Sequence, residues 1–401
     1  MNGDVQNRQK TVALISCAPH QTKLFAFLRT ALPAQVRSSI ANVNLLPLTP
    51  RYWLTALASL FAATPASTDS IIALDLMKYL AHRHGSLRAF DGLIKALWTR
   101  VAAINYRYFR QRFARSKIDL LVVWGGFQLP VAAALAAARD AGVKTLFCEN
   151  GYLPKTIVMD PQGINAGNSL MGKPTEFYRA VDVPAEQRAG LFGMPLVTRP
   201  LKGGSIASET VVLPERFVFL PLQVHDDSQI LVYSPHFRDM PAVIRFCAQG
   251  VESYNRRHGT QLKLVVKEHP SDHGRIDYAP AYREFPEVIF TKLMPTQDLI
   301  EKCAAVITVN STVGIEALLN LKPVISLGNA FYAVPGLVRA VGEDGDLAEE
   351  LQDAFETPID RDLTEHFLYF LRYDYLVPMD RNNLAASDPA RAVAKILEAL
   401  R

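Results

Sequence analysis

The chain has 401 residues, 49% of them hydrophobic and 20% charged, with 25 Pro and 22 Gly. That composition excludes a mainly disordered or collagen-like chain, and the length fits two domains or one large one. The net charge of +4 is uneven. Residues 1–118 hold 16 Lys/Arg against 4 Asp/Glu and the remainder 27 against 35, so the front of the chain suits an anionic partner.

The polar start, Met1–Lys10, lacks the apolar core of a secretory signal. Thr11–Ser16 (TVALIS) predicts a buried strand, and Leu24, Phe25, Phe27, Leu28 and Leu32 then recur with helical spacing. The longest apolar stretches, Leu54–Ala63 and Leu129–Ala138, reach about 10 residues, where a bilayer span needs about 20. Asp119–Trp124 (DLLVVW) predicts a second strand, Leu129–Ala141 a helix, and Lys144–Cys148 (KTLFC) a third strand. That rhythm is βαβ, which implies a parallel sheet with its site at the carboxyl ends of the strands.

Pro195–Pro214 is rich in Pro, Gly and Ser and predicts a linker. Strands are expected beyond it at Phe217–Leu222, Lys263–Lys267, Val288–Phe290, Ala305–Val309 and Pro323–Leu327, with a closing helix at Asp388–Arg401. The expectation is an α/β protein of two Rossmann-like domains, residues 1–205 and 206–401, with the site between them. Cys17, Cys148, Cys247 and Cys303 form no CxxC pair, which argues against a zinc site or disulfide framework and fits a reducing cytoplasm.

Polar clusters follow the expected strands. Glu149-Asn150-Gly151-Tyr152 follows KTLFC, and Gln223–Gln229 with Asp226-Asp227 follows FVFLPL. Glu268-His269-Pro270 follows KLVVK, and Asn310-Ser311-Thr312 follows AVITV, ahead of a helix expected near Val313. A helix N-terminus with two hydroxyls suits a phosphate, although Ser/Thr capping alone explains the residues too. His269 and Lys267 can steady a leaving phosphate, with Pro270 keeping the His backbone extended. His273, beside Asp272, reads as surface loop. Asp226, Asp227 and Glu149 supply carboxylates of the kind used in glycosyl transfer, or turn and cap residues. Between Asp91 and Asp119 lie Lys95, Arg100, Arg107, Arg110, Arg112, Arg115 and Lys117 without an acid, interleaved with aromatics. This predicts either a membrane-interface helix or a surface helix with its aromatics in the core. No nucleic-acid motif accompanies it.

The ordered set Glu149–Pro154 (ENGYLP), Gly163-Ile164-Asn165, Leu222–Ile230 (LQVHDDSQI), Val266–Pro270 (VKEHP), Val309–Gly314 (VNSTVG) and Leu327–Leu337 (LGNAFYAVPGL) spans about 190 residues. It resembles the bacterial capsule polysaccharide biosynthesis family of retaining β-Kdo transferases, in its KpsS-like branch. The resemblance implies a GT-B type fold with two Rossmann-like domains facing across a central cleft. The N-terminal domain would take the acceptor and the C-terminal domain a CMP-sugar donor. It implies transfer of Kdo from CMP-β-Kdo, with retention, to a lipid-linked acceptor based on phosphatidylglycerol or to a glycan. Asp227 would be the nucleophile, with Asp226 beside it, and Glu149 the acid/base. Lys267, His269, Pro270, Asn310, Ser311, Thr312, Gln229 and Glu316 would hold the donor. Arg107, Arg110 and Arg112 would face the acceptor or the membrane. No metal or cofactor is expected, and the protein would act in the cytoplasm at the inner face of the inner membrane, alongside capsule assembly proteins. The chain departs from the pattern at Ser16–His20, where a Gly-rich turn is usual, and at Glu149-Asn150, where two adjacent Glu are usual. The competing readings are a CDP-alditol phosphotransferase of teichoic-acid type and a non-enzymatic capsule assembly or export component.

Overall fold

The computed structural model describes residues 8–59, 62–81, 90–188, 190–193, 211–272, 275–342 and 345–401. The chain divides into two compact units: Met1–Ser169 with Tyr375–Arg401, and Leu170–Asp374.

The first unit is built on a six-stranded sheet. In chain order its strands are β1 (Lys10–Ser16), β2 (Val36–Asn42), β3 (Leu120–Trp124), β4 (Lys144–Asn150), β5 (Thr156–Asp160) and a late arrival from Val377–Pro378. Strands β2, β1, β3 and β4 run parallel in that spatial order, and β5 pairs antiparallel to β4. The apolar runs read from sequence are buried on both faces because helices cover both. Val12 and Leu14 face one core while Ala13 and Ile15 face the other, the two-residue alternation of a doubly covered strand. Strand β2 (VRSSIAN), at the sheet edge, is too polar to have been expected.

The second unit carries β6 (Phe217–Pro221), β7 (Lys263–Lys267), β8 (Ile289–Thr291), β9 (Ala305–Thr308), β10 (Val324–Ser326) and β11 (Arg339–Ala340). All are parallel, in the order β11-β10-β9-β6-β7-β8. The helix Met240–His258 packs Val243, Ile244, Cys247 and Val251 against Val218, Leu220 and Val266 of this sheet. Asp239 caps its start by accepting from the Ala242 amide at 2.8 Å, and Gly259 ends it at φ 62°.

Two Rossmann-like α/β units are present, but the expected division at 205/206 is corrected. The boundary falls at Ser169/Leu170, and the expected Pro195–Pro214 linker lies mostly outside the described residues, which omit 194–210. The closing helix belongs to the first unit. Its Ala392, Ile396 and Leu400 share a core with Leu24, Leu28 and Leu146, and Val377–Pro378 adds strand β12 to β5. An amphipathic helix settles where its apolar face is buried, whatever its distance along the chain.

Candidate functional site

In the second sheet, strand order reverses between β6 and β9. A crevice opens at such a switch point, at the carboxyl ends of the strands. The Gln223–Gln229 and Asn310–Thr312 clusters sit on the loops after these two strands. Buried amides lock the loops together. Gln223 Nε2 donates to Asn310 Oδ1 at 2.9 Å, and the Asn310 amide N–H donates to Gln223 Oε1 at 3.0 Å. Asn310 Nδ2 donates to the Gln229 and Tyr233 carbonyls, and Gln229 Nε2 donates to the Asn310 carbonyl at 3.2 Å. Asn310 is therefore a strut rather than a ligand-facing residue. Gln229 Oε1 is buried and takes no hydrogen bond among the described residues, so a bound donor group can satisfy it.

The two adjacent aspartates have separate jobs. Asp226 is ion-paired to Arg275, Oδ2 to Nη2 at 3.0 Å. Asp227 caps the short helix Ser228–Leu231. Its Oδ1 accepts from the Gln229 amide at 3.0 Å and from the Ser228 hydroxyl at 3.1 Å, while Oδ2 takes no hydrogen bond among the described residues. The capping role thus falls on Asp227, and it fixes one carboxylate oxygen while leaving the other for chemistry.

The loop after β7 lies beside that after β6, about 4.8 Å away at the strands. His269 Nδ1 accepts from the Ser271 amide at 3.1 Å, so the proton of the neutral ring sits on Nε2, which can donate to an anionic oxygen. Lys267 Nζ donates to Thr296 Oγ1 at 2.8 Å. Burial pushes its pKa below the ordinary lysine range, partly opposed by Glu316 and Asp298. Glu316 therefore acts beside Lys267, on the helix Val313–Leu319.

Ser311, not Thr312, caps that helix: its Oγ accepts from the Val313 amide at 3.2 Å, and Thr312 makes no side-chain cap. The helix begins at Val313 as expected but has only 7 residues, so the dipole available to an anion is small. Tyr332 of the GNAFY segment is buried and donates to the Ser311 carbonyl. A Cβ at Gly314 would lie 2.7 Å from the Tyr332 ring, so glycine is required there for the ring to close on the loop.

One pair escaped the sequence reading. His225 Nδ1 lies 3.0 Å from Asp272 Oδ1, and the His225 amide donates to Asp272 Oδ2 at 2.8 Å. Asp272 is 1% exposed, and the His273 read as surface loop beside it lies outside the described residues. Arg275 bridges Asp272 and Asp226. The signal was present in His-Asp-Asp after one strand and Pro-Ser-Asp after the next, but only pairing across 47 positions gives it meaning. His225, Asp226 and Asp272 can bring three metal-ligating atoms within 4.8 Å of one another, and Arg275 is ion-paired to both carboxylates.

In the first unit the order also reverses, between β1 and β3. At these carboxyl ends His20 meets the Trp124 ring edge-on at 6.4 Å, and the Arg381 guanidinium lies 5.3 Å from the same ring. Burial and then Arg381 lower the His20 pKa. Glu149 lies within β4, paired opposite Val158, rather than on the loop beyond it, and its Oε1 accepts from the Asn150 amide at 2.8 Å. Burial, then its charge, raises the Cys17 thiol.

In the helix Asp91–Ser116 the aromatics follow the second of the two readings of the basic segment. Phe109 and Phe113 are in the core, and Trp98, Tyr106 and Tyr108 pack against it. Arg100 donates to the Ser59 and Ala62 carbonyls, and Arg107 donates to the Ala63 carbonyl. Arg107 is thus a structural cap beyond the helix Pro50–Ser59. Arg112 Nη2 reaches Ser39 Oγ at 3.4 Å, and Arg110 is exposed.

The profile of the family described as "Capsule polysaccharide biosynthesis protein" matches residues 204–370, within the second unit. The Escherichia coli capsule polysaccharide export protein KpsS is 33% identical over 285 residues, covering 57% of this chain and 72% of that protein. Protein FixF of Sinorhizobium fredii is 32% identical over 279 residues, covering 69% of this chain and 65% of FixF; the chain thus spans just under two thirds of that relative. Among solved structures, the Thermosulfurimonas dismutans KpsC β-Kdo 2,7 transferase aligns with TM-score 0.45 and 17% identity over 74% of this chain and 90% of that one. The chain belongs to the capsule polysaccharide biosynthesis family.

Proposed function

We propose that this protein is a retaining glycosyltransferase that moves Kdo from CMP-β-Kdo to a lipid-linked or glycan acceptor of surface polysaccharide synthesis. The observation that carries the reading is Asp227: a carboxylate at the switch point, with one oxygen anchored and the other available. Retention calls for two displacements. In the first, Asp227 Oδ2 attacks the anomeric carbon of Kdo and the bond to CMP breaks. In the second, Glu149 takes the proton of the acceptor hydroxyl as that oxygen displaces Asp227. Charge leaving with CMP is met by the Nε2–H of His269, the Lys267 ammonium and the hydroxyls of Ser311 and Thr312. Pro270 fixes the His269 backbone, Asn310 holds the loop, Gln229 offers Oε1 to the donor and Glu316 balances Lys267. Asp272 orients His225 behind Asp226. No step requires a metal.

Support for a lipid-borne acceptor comes from the first unit. Trp53, Leu54 and Leu57 on the helix Pro50–Ser59, and Leu93 and Leu97 on Asp91–Ser116, are each more than half exposed. Exposed apolar side chains of this kind suit a peripheral site at the cytoplasmic membrane surface. The deciding experiment is mass spectrometry of a synthetic phosphatidylglycerol-based acceptor incubated with CMP-Kdo. Gain of the mass of one or more Kdo residues, with release of CMP, supports the reading. No product with any Kdo acceptor, together with no CMP binding, rejects it.

A further inference from the structure

At the other end of the first sheet lies a feature that the proposed transfer does not use. A cavity of about 650 Å³ is lined by Arg8, Arg37, Arg115 and Lys117, with Ser38 and Ser116 among them. It sits at the amino ends of β1 and β2, where Lys10–Ala13 pair with Val36–Ser39. The wall opposite is the last turn of the helix Asp91–Ser116, which ends on Lys117 at φ 47°. Strands of seven residues extend about 20 Å, so this cavity is well removed from the carboxyl ends of the same strands.

Four cations line it. Asp119 answers one of them, lying 3.2 Å from Arg8, and it also accepts from the Thr11 amide at 2.8 Å. Among the described residues, Arg115 Nη2 donates to the neutral Gln111 side chain, at 3.3 Å. Among the described residues no carboxylate pairs with Arg37, Arg115 or Lys117. Three unbalanced cations repel one another unless an anion joins them. Guanidinium forks match phosphate oxygens in two-pronged fashion, and hydroxyls complete such a site. The volume is that of a small-molecule site, larger than one phosphate ion needs.

We propose that this basic cavity binds a phosphate-bearing ligand, at a second site separate from the donor site of the other unit. Pyrophosphate, titrated by calorimetry at low salt with saturating CMP present, is the probe. Wild-type protein should bind it with an affinity that falls as salt rises. The double variant Arg37→Ser, Arg115→Ser, at two exposed positions, should bind it about a hundredfold more weakly, near tenfold for each arginine. Arg37→Lys, Arg115→Lys should keep much of the binding, and CMP affinity should be the same in all three. Phosphatidylcholine vesicles with and without phosphatidic acid separate the sources. Sedimentation with phosphatidic acid that needs both arginines and is reversed by pyrophosphate makes the phosphate a lipid headgroup. Arginine-dependent pyrophosphate binding without vesicle binding makes it a soluble ligand. Absence of both, or binding indifferent to both arginines, overturns the proposal, and neither result bears on Kdo transfer.

Discussion

The two units carry the same kind of sheet and different kinds of loop. In the second, the loops after β6, β7 and β9 are joined by side chains that cross from strand to strand: Gln223 to Asn310, His225 to Asp272, Arg275 to Asp226, and Tyr332 to the Ser311 carbonyl. In the first, the carboxyl-end contacts mix local hydrogen bonds with ones that cross from β1 to the segment after β2. Glu149 accepts from its neighbour's amide, Ser16 pairs with Thr22, and Asn44 donates to the Cys17 carbonyl. Cross-linked loops hold their groups in one geometry before a ligand arrives, the requirement for stabilising a leaving group.

Removing chemistry from the rigid unit should do the most damage. Asp227→Ala should lower transfer by about a thousandfold or more while CMP affinity stays the same, as for a group acting in the bond-making step. Near-native turnover in that variant would break the comparison at its centre. Glu149→Gln should cost about 10²–10⁴ in rate and slow the second displacement, so that a peptide from the Asp227 segment gains the mass of Kdo. Next comes the strut itself. Asn310→Ala strands Gln223 and two carbonyls and should lower stability by about 2–3 kcal/mol in denaturant melts. Asn44→Ala, its counterpart in the first unit, should change stability by about 0.5 kcal/mol or less. Equal losses from the two would erase the distinction. His269→Ala should weaken CMP binding about tenfold, the worth of one charge-assisted hydrogen bond.

The smallest effect is on pH. Lys267 has a folded pKa lowered by burial, so folding binds fewer protons there than unfolding does. Its contribution to stability is full above about 10.4, the ordinary lysine value, and is lost as pH falls through the lowered one. Lys267→Met should flatten that part of the stability-against-pH curve, and an unchanged slope would mean that the ammonium is well solvated.

Legibility in the sequence follows the same division. Strands β1, β3, β6, β7, β9 and β10 are apolar runs buried on both faces, and such runs announce themselves, as does the half-buried KTLFC of β4. Strand β2 was not seen, because an edge strand carrying Arg37, Ser38 and Ser39 has no such run. The donor-side motifs were legible because each follows its strand directly. Their partners were not, because Asp272 and Arg275 gain a role only when a parallel crossover sets β7 beside β6. The closing helix was legible as a helix and misassigned to its unit, since an amphipathic pattern names a face but not what covers it.

That helix has a consequence for synthesis. The second unit begins after Ser169 and ends before Tyr375, and the chain then returns to the first. Tyr375 donates to Asp160 Oδ2 at 3.0 Å, and its ring stacks within 3° of parallel on Tyr152. On the ribosome, domains tend to fold in the order they emerge. Here the first to emerge is the last to be completed, because β5 waits for its neighbour and Leu146 for its cover until residues 377–400 leave the tunnel. The inserted unit has all its strands earlier and is free to fold in the interval. A chain truncated after residue 374 and released from the ribosome should therefore protect the second unit from protease and leave the first open to it.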